Sequence, residues 1–182
     1  MSTYFDAFRI DHILGFFRIW SIPIDAVQGI MGRFVPCLPV HINEFGEKGI
    51  WFDYQRFCKP FITDEVLAEL FHDDAEKVKE QFLTPNDFGS YDLLSAFDTQ
   101  KKLEKYFDEQ LTGNDLEHLR SGLYDLVSNV ILFEEEGSQG QEFHFRISME
   151  KTSSFRHLIP HIQEKLKDLA VNYFFRRQDD FW

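Results

Sequence analysis

The stretch Phe8-Arg9-Ile10-Asp11-His12-Ile13-Leu14-Gly15-Phe16-Phe17-Arg18-Ile19-Trp20 decides how the chain is read. Just before and within it, Phe5, Ala7, Phe8 and Ile10 form a nearly apolar run from Tyr4 to Asp11, interrupted by Asp6 and Arg9. A short run of this kind reads as a strand buried on both faces, as in a parallel sheet. It ends in Asp11-His12, with Gly15 in the turn that follows. Polar groups at the C-terminal end of such a strand stand where α/β barrels keep their chemistry.

Arg9 and Asp11 are two residues apart, so a strand puts both on one face. A guanidinium beside a carboxylate favours the ionised form and holds its orientation. An ionised, oriented carboxylate can attack an anomeric carbon or stabilise an oxocarbenium ion. His12 is placed to donate to a sugar hydroxyl, and Phe16, Phe17 and Trp20 offer flat apolar faces to a pyranose ring. Taken alone, Arg-x-Asp on a strand is more often an ordinary ion pair, and aromatics near a strand end are more often core.

The string Arg9-Ile10-Asp11-His12, followed by Gly15-Phe16, resembles the nucleophile motif of the 4-α-glucanotransferase family (amylomaltase or disproportionating enzyme, glycoside hydrolase family 77). Its continuation through Trp20-Ser21-Ile22-Pro23, with Gly49-Ile50-Trp51 and Lys59-Pro60-Phe61-Ile62, resembles the plant-cytosolic-type subgroup and its bacterial relatives. That subgroup has a long insertion between its nucleophile and its acid/base residue. The resemblance implies that Asp11 is the nucleophile, that Arg9 orients it and contacts the sugar, and that His12 binds hydroxyls of the same sugar. It implies α-1,4-glucans, maltose or maltodextrins as partners, and a retaining double displacement. No metal or organic cofactor is then required, because two carboxylates and the substrate supply the chemistry.

The family's acid/base Glu lies in a Glu-Asp-Leu-Gly-like string, and no such string occurs in the 182 residues. Its stabilising Asp lies in a His-Asp motif; His72-Asp73 falls instead at a predicted helix boundary. A retaining site needs two carboxyls about 5–5.5 Å apart. The expectation is therefore a piece of a larger enzyme, inactive by itself.

Farther along, Gly29 to Gly49 is broken by Gly32, Pro36, Pro39 and Gly46 and reads as loop with a short helix over Ile42–Lys48. After Pro60 the period becomes helical. Thr63 caps a helix through Leu70, Asp73 or Asp74 one through Phe82, Asp98 one through Gln110, and Thr112 or Asn114 one through about Ser128. Val130–Phe133 and Phe143–Ile147 read as a hairpin around the polar turn Glu134–Gly140. Ile159–Arg177 reads as an amphipathic helix with Ile162, Leu166, Leu169 and Tyr173 inward. The fold expected is α+β. Residues 1–60 would be a strand-plus-loop slice of a parent (β/α)8 barrel, and residues 61–182 a mostly helical insertion module with a β-hairpin near 130–147. One such strand is far short of a barrel of about 250 residues, and a slice with exposed edges invites self-association.

Hydrophobic residues make up 43% of the chain, enough for a folded core. A net charge of −12 excludes the basic face that nucleic acid demands; Lys101-Lys102 and Arg176-Arg177 sit close to acids. A neutral sugar suits this surface better than a polyanion. Cys37 and Cys58 make neither a disulfide framework nor a zinc site, and read as reduced thiols in a cytoplasmic protein. No run approaches the ~20 apolar residues of a membrane span, and the N-terminus lacks signal-peptide order. His157 and His161 have metal-ligand spacing, but Pro160 lies between them and too few ligands accompany them. Among Trp51, Phe52 and Tyr54, Trp51 is the candidate sugar platform, and core packing is expected for at least two of the three. The alternative to an enzyme piece is a non-catalytic glucan-binding or assembly module.

Overall fold

The computed structural model describes residues 18–109 and 114–178. The strand expected over Tyr4–Asp11, with Arg9, Asp11 and His12, lies outside the described residues.

The architecture is α+β, with short antiparallel sheets and eight α-helices among the described residues. β1 (Ile19–Ser21) pairs antiparallel with β2 (Arg33–Val35), Trp20 opposite Phe34. This hairpin falls where the glycines and prolines read as loop. Trp20 closes it: its indole Nε1 donates to the Gly29 carbonyl at 3.0 Å, and its ring meets Phe34 edge-on at 4.9 Å. Gly32 lies under the same indole, where any Cβ would also come within 2.8 Å of the Ser21 carbonyl. β3 (Val40–His41) leads into α1 (Ile42–Glu47), the helix expected there. Its start is a reciprocal cap. The His41 ring accepts from the Asn43 N–H at 3.2 Å, and Glu44 accepts from the His41 N–H at 2.9 Å.

α2 (Tyr54–Cys58) is capped by Asp53, and α3 (Asp64–Phe71) by Thr63, with Asp64 and Glu65 in its first turn as the dipole favours. A turn over His72–Asp74 joins α3 to α4 (Ala75–Phe82). Next comes a second unforeseen hairpin, β4 (Leu83–Pro85) with β5 (Tyr91–Leu93). Asn86 organises its loop by accepting from the Phe88 and Ser90 N–H groups at 3.0 and 3.1 Å. α5 (Gln100–Asp108) begins at Thr99 rather than Asp98, because the Thr99 hydroxyl accepts from the Lys102 N–H. α6 spans Asn114–Val127. β6 (Leu132–Glu134) and β7 (Glu142–Phe145) form the expected hairpin, and β3 adds to β7 to give the order β3-β7-β6. α7 (Ser153–Arg156) precedes α8 (Pro160–Val171), which widens into a π-helical turn over Asn172–Arg176.

Two hydrophobic cores result. Val40, Phe45, Phe57, Phe143, Phe145, Leu166 and Tyr173 belong to the first, so the β6–β7 hairpin and α8 pack on residues 40–58. Val66, Phe71, Val78, Phe82, Leu103, Phe107 and Leu123 belong to the second, entirely from residues 62–127. Asn129 lies between them, 5% exposed. Its Nδ2 donates to the Phe61 carbonyl at 2.7 Å and to the Ser153 hydroxyl at 2.8 Å. Its Oδ1 accepts from the Ser154 N–H at 2.9 Å, and its own carbonyl accepts from the Phe61 N–H at 3.0 Å.

Asn129→Ala would leave a buried N–H and a buried C=O without side-chain partners, and should cost about 2–4 kcal/mol in urea unfolding. Gly122→Ala places a Cβ 2.5 Å from the Phe71 ring and should cost about 1–3 kcal/mol. Gly46→Ala, in α1 with open space around the new methyl, should instead stabilise by about 0.5–1 kcal/mol.

Candidate functional site

Arg18 is the first described residue, seven positions past Asp11. Arg18 lines a cleft of about 570 Å³. One wall is the β1–β2 hairpin with Trp20, Arg33 and Phe34; the other is the π-helical turn with Tyr173, Phe174 and Phe175. The Arg18 guanidinium lies over the Phe34 ring, 4.4 Å from its centre. Trp20, read from sequence as a sugar face, lines this cleft, though its indole N–H is already committed to Gly29.

A polar chain runs beside this cleft, from the β1–β2 hairpin to the π-helical turn. Arg33 pairs with Glu135 at 2.6 Å, and Glu135 meets His144 Nε2 at 2.7 Å. His144 Nδ1 is 2.9 Å from the Tyr173 hydroxyl, which is 2.9 Å from Cys37 Sγ. The order carboxylate, imidazole, hydroxyl, thiol invites a nucleophilic reading. The acidities argue against it. Burial pushes the Cys37 thiol up, and burial with the Cys37 contact pushes the Tyr173 phenol well above its usual range. Neither ionises readily near neutrality, so the chain holds structure rather than supplying a nucleophile. Cys58, pushed up to about 12 by burial, is equally inert.

Trp51, the candidate sugar platform, is presented to solvent. It is 90% exposed on the segment between α1 and α2. Its neighbours turn inward as expected. Phe52 lies 4.6 Å from Phe143 and 5.0 Å from Phe45, ring to ring. Tyr54 packs on the same core and donates to Glu134 at 2.6 Å, a bond that pushes its phenol up to about 12. His157 faces Glu65 at 3.5 Å and Phe61, while His161 is exposed. No group of three potential metal ligands occurs among the described residues. Lys101 and Lys102 pair with Glu104 and Asp98, and Arg177 pairs with Glu44.

The family model for 4-alpha-glucanotransferase matches residues 1–173. The chain belongs to that family. The 4-alpha-glucanotransferase DPE2 of Oryza sativa subsp. japonica is 34% identical over 186 aligned residues, covering all of this chain. The chain spans 20% of that relative's length. No solved structure matches significantly. The match takes in both the Arg9-Ile10-Asp11-His12 string and most of the described body, so the helices and hairpins are family sequence. Among the described residues no helix is long and apolar enough to cross a membrane.

The polar chain from Arg33 to Cys37 had no signature in the sequence. Cys37, the Glu135–His144 pair of the β6–β7 hairpin and Tyr173 come from three separated segments, brought together by the packing of that hairpin on the turn after α8. Within a strand flanked by Phe143 and Phe145, His144 carried the one signal, a polar residue in an apolar run. Burial pushes its imidazole below the usual value, the Arg33 charge adds to this, and Glu135 opposes it. A depressed folded value means that the unfolded chain binds the proton more readily. His144 thus contributes stability in full above about pH 6.5, and the contribution is lost as pH falls through the folded value. The urea midpoint should therefore fall between pH 7.5 and 5.5, before carboxylates titrate. His144→Gln should flatten that part of the profile; an unchanged profile in the variant would remove His144 as its cause.

Proposed function

We propose that this chain is the nucleophile-bearing part of a longer 4-α-glucanotransferase, which moves α-1,4-linked glucosyl units from maltose or maltodextrins to an acceptor glucan. The observation that carries the reading is the Arg9-Ile10-Asp11-His12 string inside a family match over residues 1–173. On this reading the Asp11 carboxylate attacks the anomeric carbon as the glycosidic C–O bond breaks, and the leaving oxygen takes a proton from a separate carboxylic acid. The acceptor hydroxyl then attacks the same carbon, the bond to Asp11 breaks, and that second group takes the hydroxyl proton. Arg9 keeps Asp11 ionised and oriented, and His12 binds hydroxyls of the reacting sugar. Residues 1–60 belong to the parent (β/α)8 barrel and residues 61–182 to its insertion.

The 182-residue chain alone is inactive in this account. No string in it matches the family's acid/base motif, and general acid assistance is worth about 10²–10⁴-fold. Free Cys37 and Cys58 suit a cytoplasmic enzyme. The barrel-derived segment offers a route to self-association when its neighbouring strands are missing. The exposure of Trp51 favours a second, compatible reading, in which the insertion docks glucan without doing chemistry.

Two measurements separate these readings. Incubated with maltose and glycogen, the chain should release no glucose, whereas a longer enzyme containing it should, with activity falling by three or more orders of magnitude on Asp11→Asn. Turnover by the chain itself, abolished by Asp11→Asn, would contradict the missing acid/base. Trp51→Ala should weaken retardation of the chain on a glycogen-containing native gel; unchanged retardation would remove Trp51 as the docking face.

A further inference from the structure

The β4–β5 hairpin presents Phe88 on a loop whose shape is fixed. Asn86 Oδ1 accepts from the Phe88 N–H at 3.0 Å, from the Ser90 N–H at 3.1 Å and from the Ser90 hydroxyl at 3.0 Å. Its Nδ2 donates to Asp92 at 3.2 Å. Gly89 supplies the left-handed backbone of the turn, at φ 73°. The hairpin is in turn fastened to the start of α3. The Tyr91 N–H donates to the Ile62 carbonyl at 3.0 Å, and the Tyr91 hydroxyl donates to Asp64 at 3.1 Å. Phe88 is nevertheless 79% exposed. A lone exposed apolar side chain is ordinary. This one is set in place by a firmly bonded loop, and it borders a groove.

The groove, of about 350 Å³, lies between that loop and α2. A second recess of about 380 Å³ continues it toward the start of α5, and the two share Gln55, Lys59, Pro60 and Asp92. Small-molecule sites span about 300–1,000 Å³. The Phe88 ring and Pro60 give the groove flat apolar surface. Hydrogen-bonding groups stand between them. The side chains of Gln55 and Lys59 are exposed and make no hydrogen bond or ion pair among the described residues. Acids and bases line the first recess in equal number, Asp53 and Asp92 against Arg56 and Lys59. In the second, Asp98 is paired with Lys102 at 2.6 Å. A charged ligand therefore finds no net attraction here, whereas a neutral one with an apolar face and a rim of hydroxyls finds both of its surfaces met.

We propose that this groove binds a linear α-1,4-glucan. One pyranose lies with its C–H face on Phe88, and Gln55, Lys59 and Asp92 take hydroxyls of that sugar and the next. The choice of glucan rests on the family reading given above; the groove rests on Phe88 and its fixed loop. Trp51 is two residues before Asp53, at most about 7 Å along the chain from the groove wall. The docking face proposed for Trp51 thus adjoins this groove.

The test is an NMR titration of the ¹⁵N-labelled 182-residue chain with maltoheptaose. Saturable shifts are expected at backbone amides of residues 53–63 and 86–93. Phe88→Ala, at an exposed loop position that should not disturb folding, should weaken the binding at least about fivefold. Phe88→Tyr, which keeps the ring, should bind within about twofold of the unsubstituted chain. Sedimentation of the same samples checks whether Phe88 holds two copies together instead. The result is independent of Asp11: transfer by a longer enzyme that is lost on Asp11→Asn stands whether or not the chain shows glucan shifts, and glucan shifts removed by Phe88→Ala stand whatever Asp11→Asn does. No saturable shifts, shifts that survive Phe88→Ala, or a Phe88→Ala variant that alters self-association and leaves glucan binding unchanged would overturn the groove as a glucan site.

Discussion

The described structure turns on one buried amide. Asn129 is the joint at which the two hydrophobic cores meet, and its side chain uses both its donor and its acceptor there. A hydroxyl could not serve both Phe61 and Ser154 at that span, and an apolar side chain would serve neither. Arg56 reinforces the same seam. It donates to the Ser154 hydroxyl at 2.7 Å and lies 4.0 Å over the Phe61 ring, deep enough that burial lowers its pKa to about 10.

A second tie fixes the other end of the body. The chain from Arg33 through Glu135, His144 and Tyr173 to Cys37 links the β1–β2 hairpin to the C-terminal helix. Gln178 adds to it by donating to the Leu38 carbonyl at 3.1 Å and accepting from the Leu38 N–H at 2.9 Å. The hairpin is the first element among the described residues, and these bonds tie it to the residues that follow α8.

How much of this was legible depends on the range of the interactions involved. Helices with a capping residue and an apolar stripe could be read directly, as with Thr63 before α3 and the Leu166, Leu169 and Tyr173 face of α8. The β6–β7 hairpin was visible because two apolar runs flank a polar turn. The β1–β2 and β4–β5 hairpins were not. Their strands are three residues long, and their turns depend on the Trp20 indole and the Asn86 carboxamide, side chains that carry no periodic signal. The site divides in the same way. Arg9, Asp11 and His12 stood out as a compact motif, and Trp51 as an aromatic in an irregular segment. Cys37 and Tyr173 are 136 positions apart, and nothing local announces that they touch.

The account rests most heavily on Asp11 as the atom donor in a covalent step. The direct measurement is mass spectrometry of peptides from a longer enzyme containing this chain, quenched after reaction with a fluorinated maltosyl donor that slows the second displacement. The account predicts a glycosyl adduct on the peptide bearing Asp11, absent after Asp11→Asn. An adduct on a different carboxylate, or turnover with no adduct and no loss on Asp11→Asn, would contradict it.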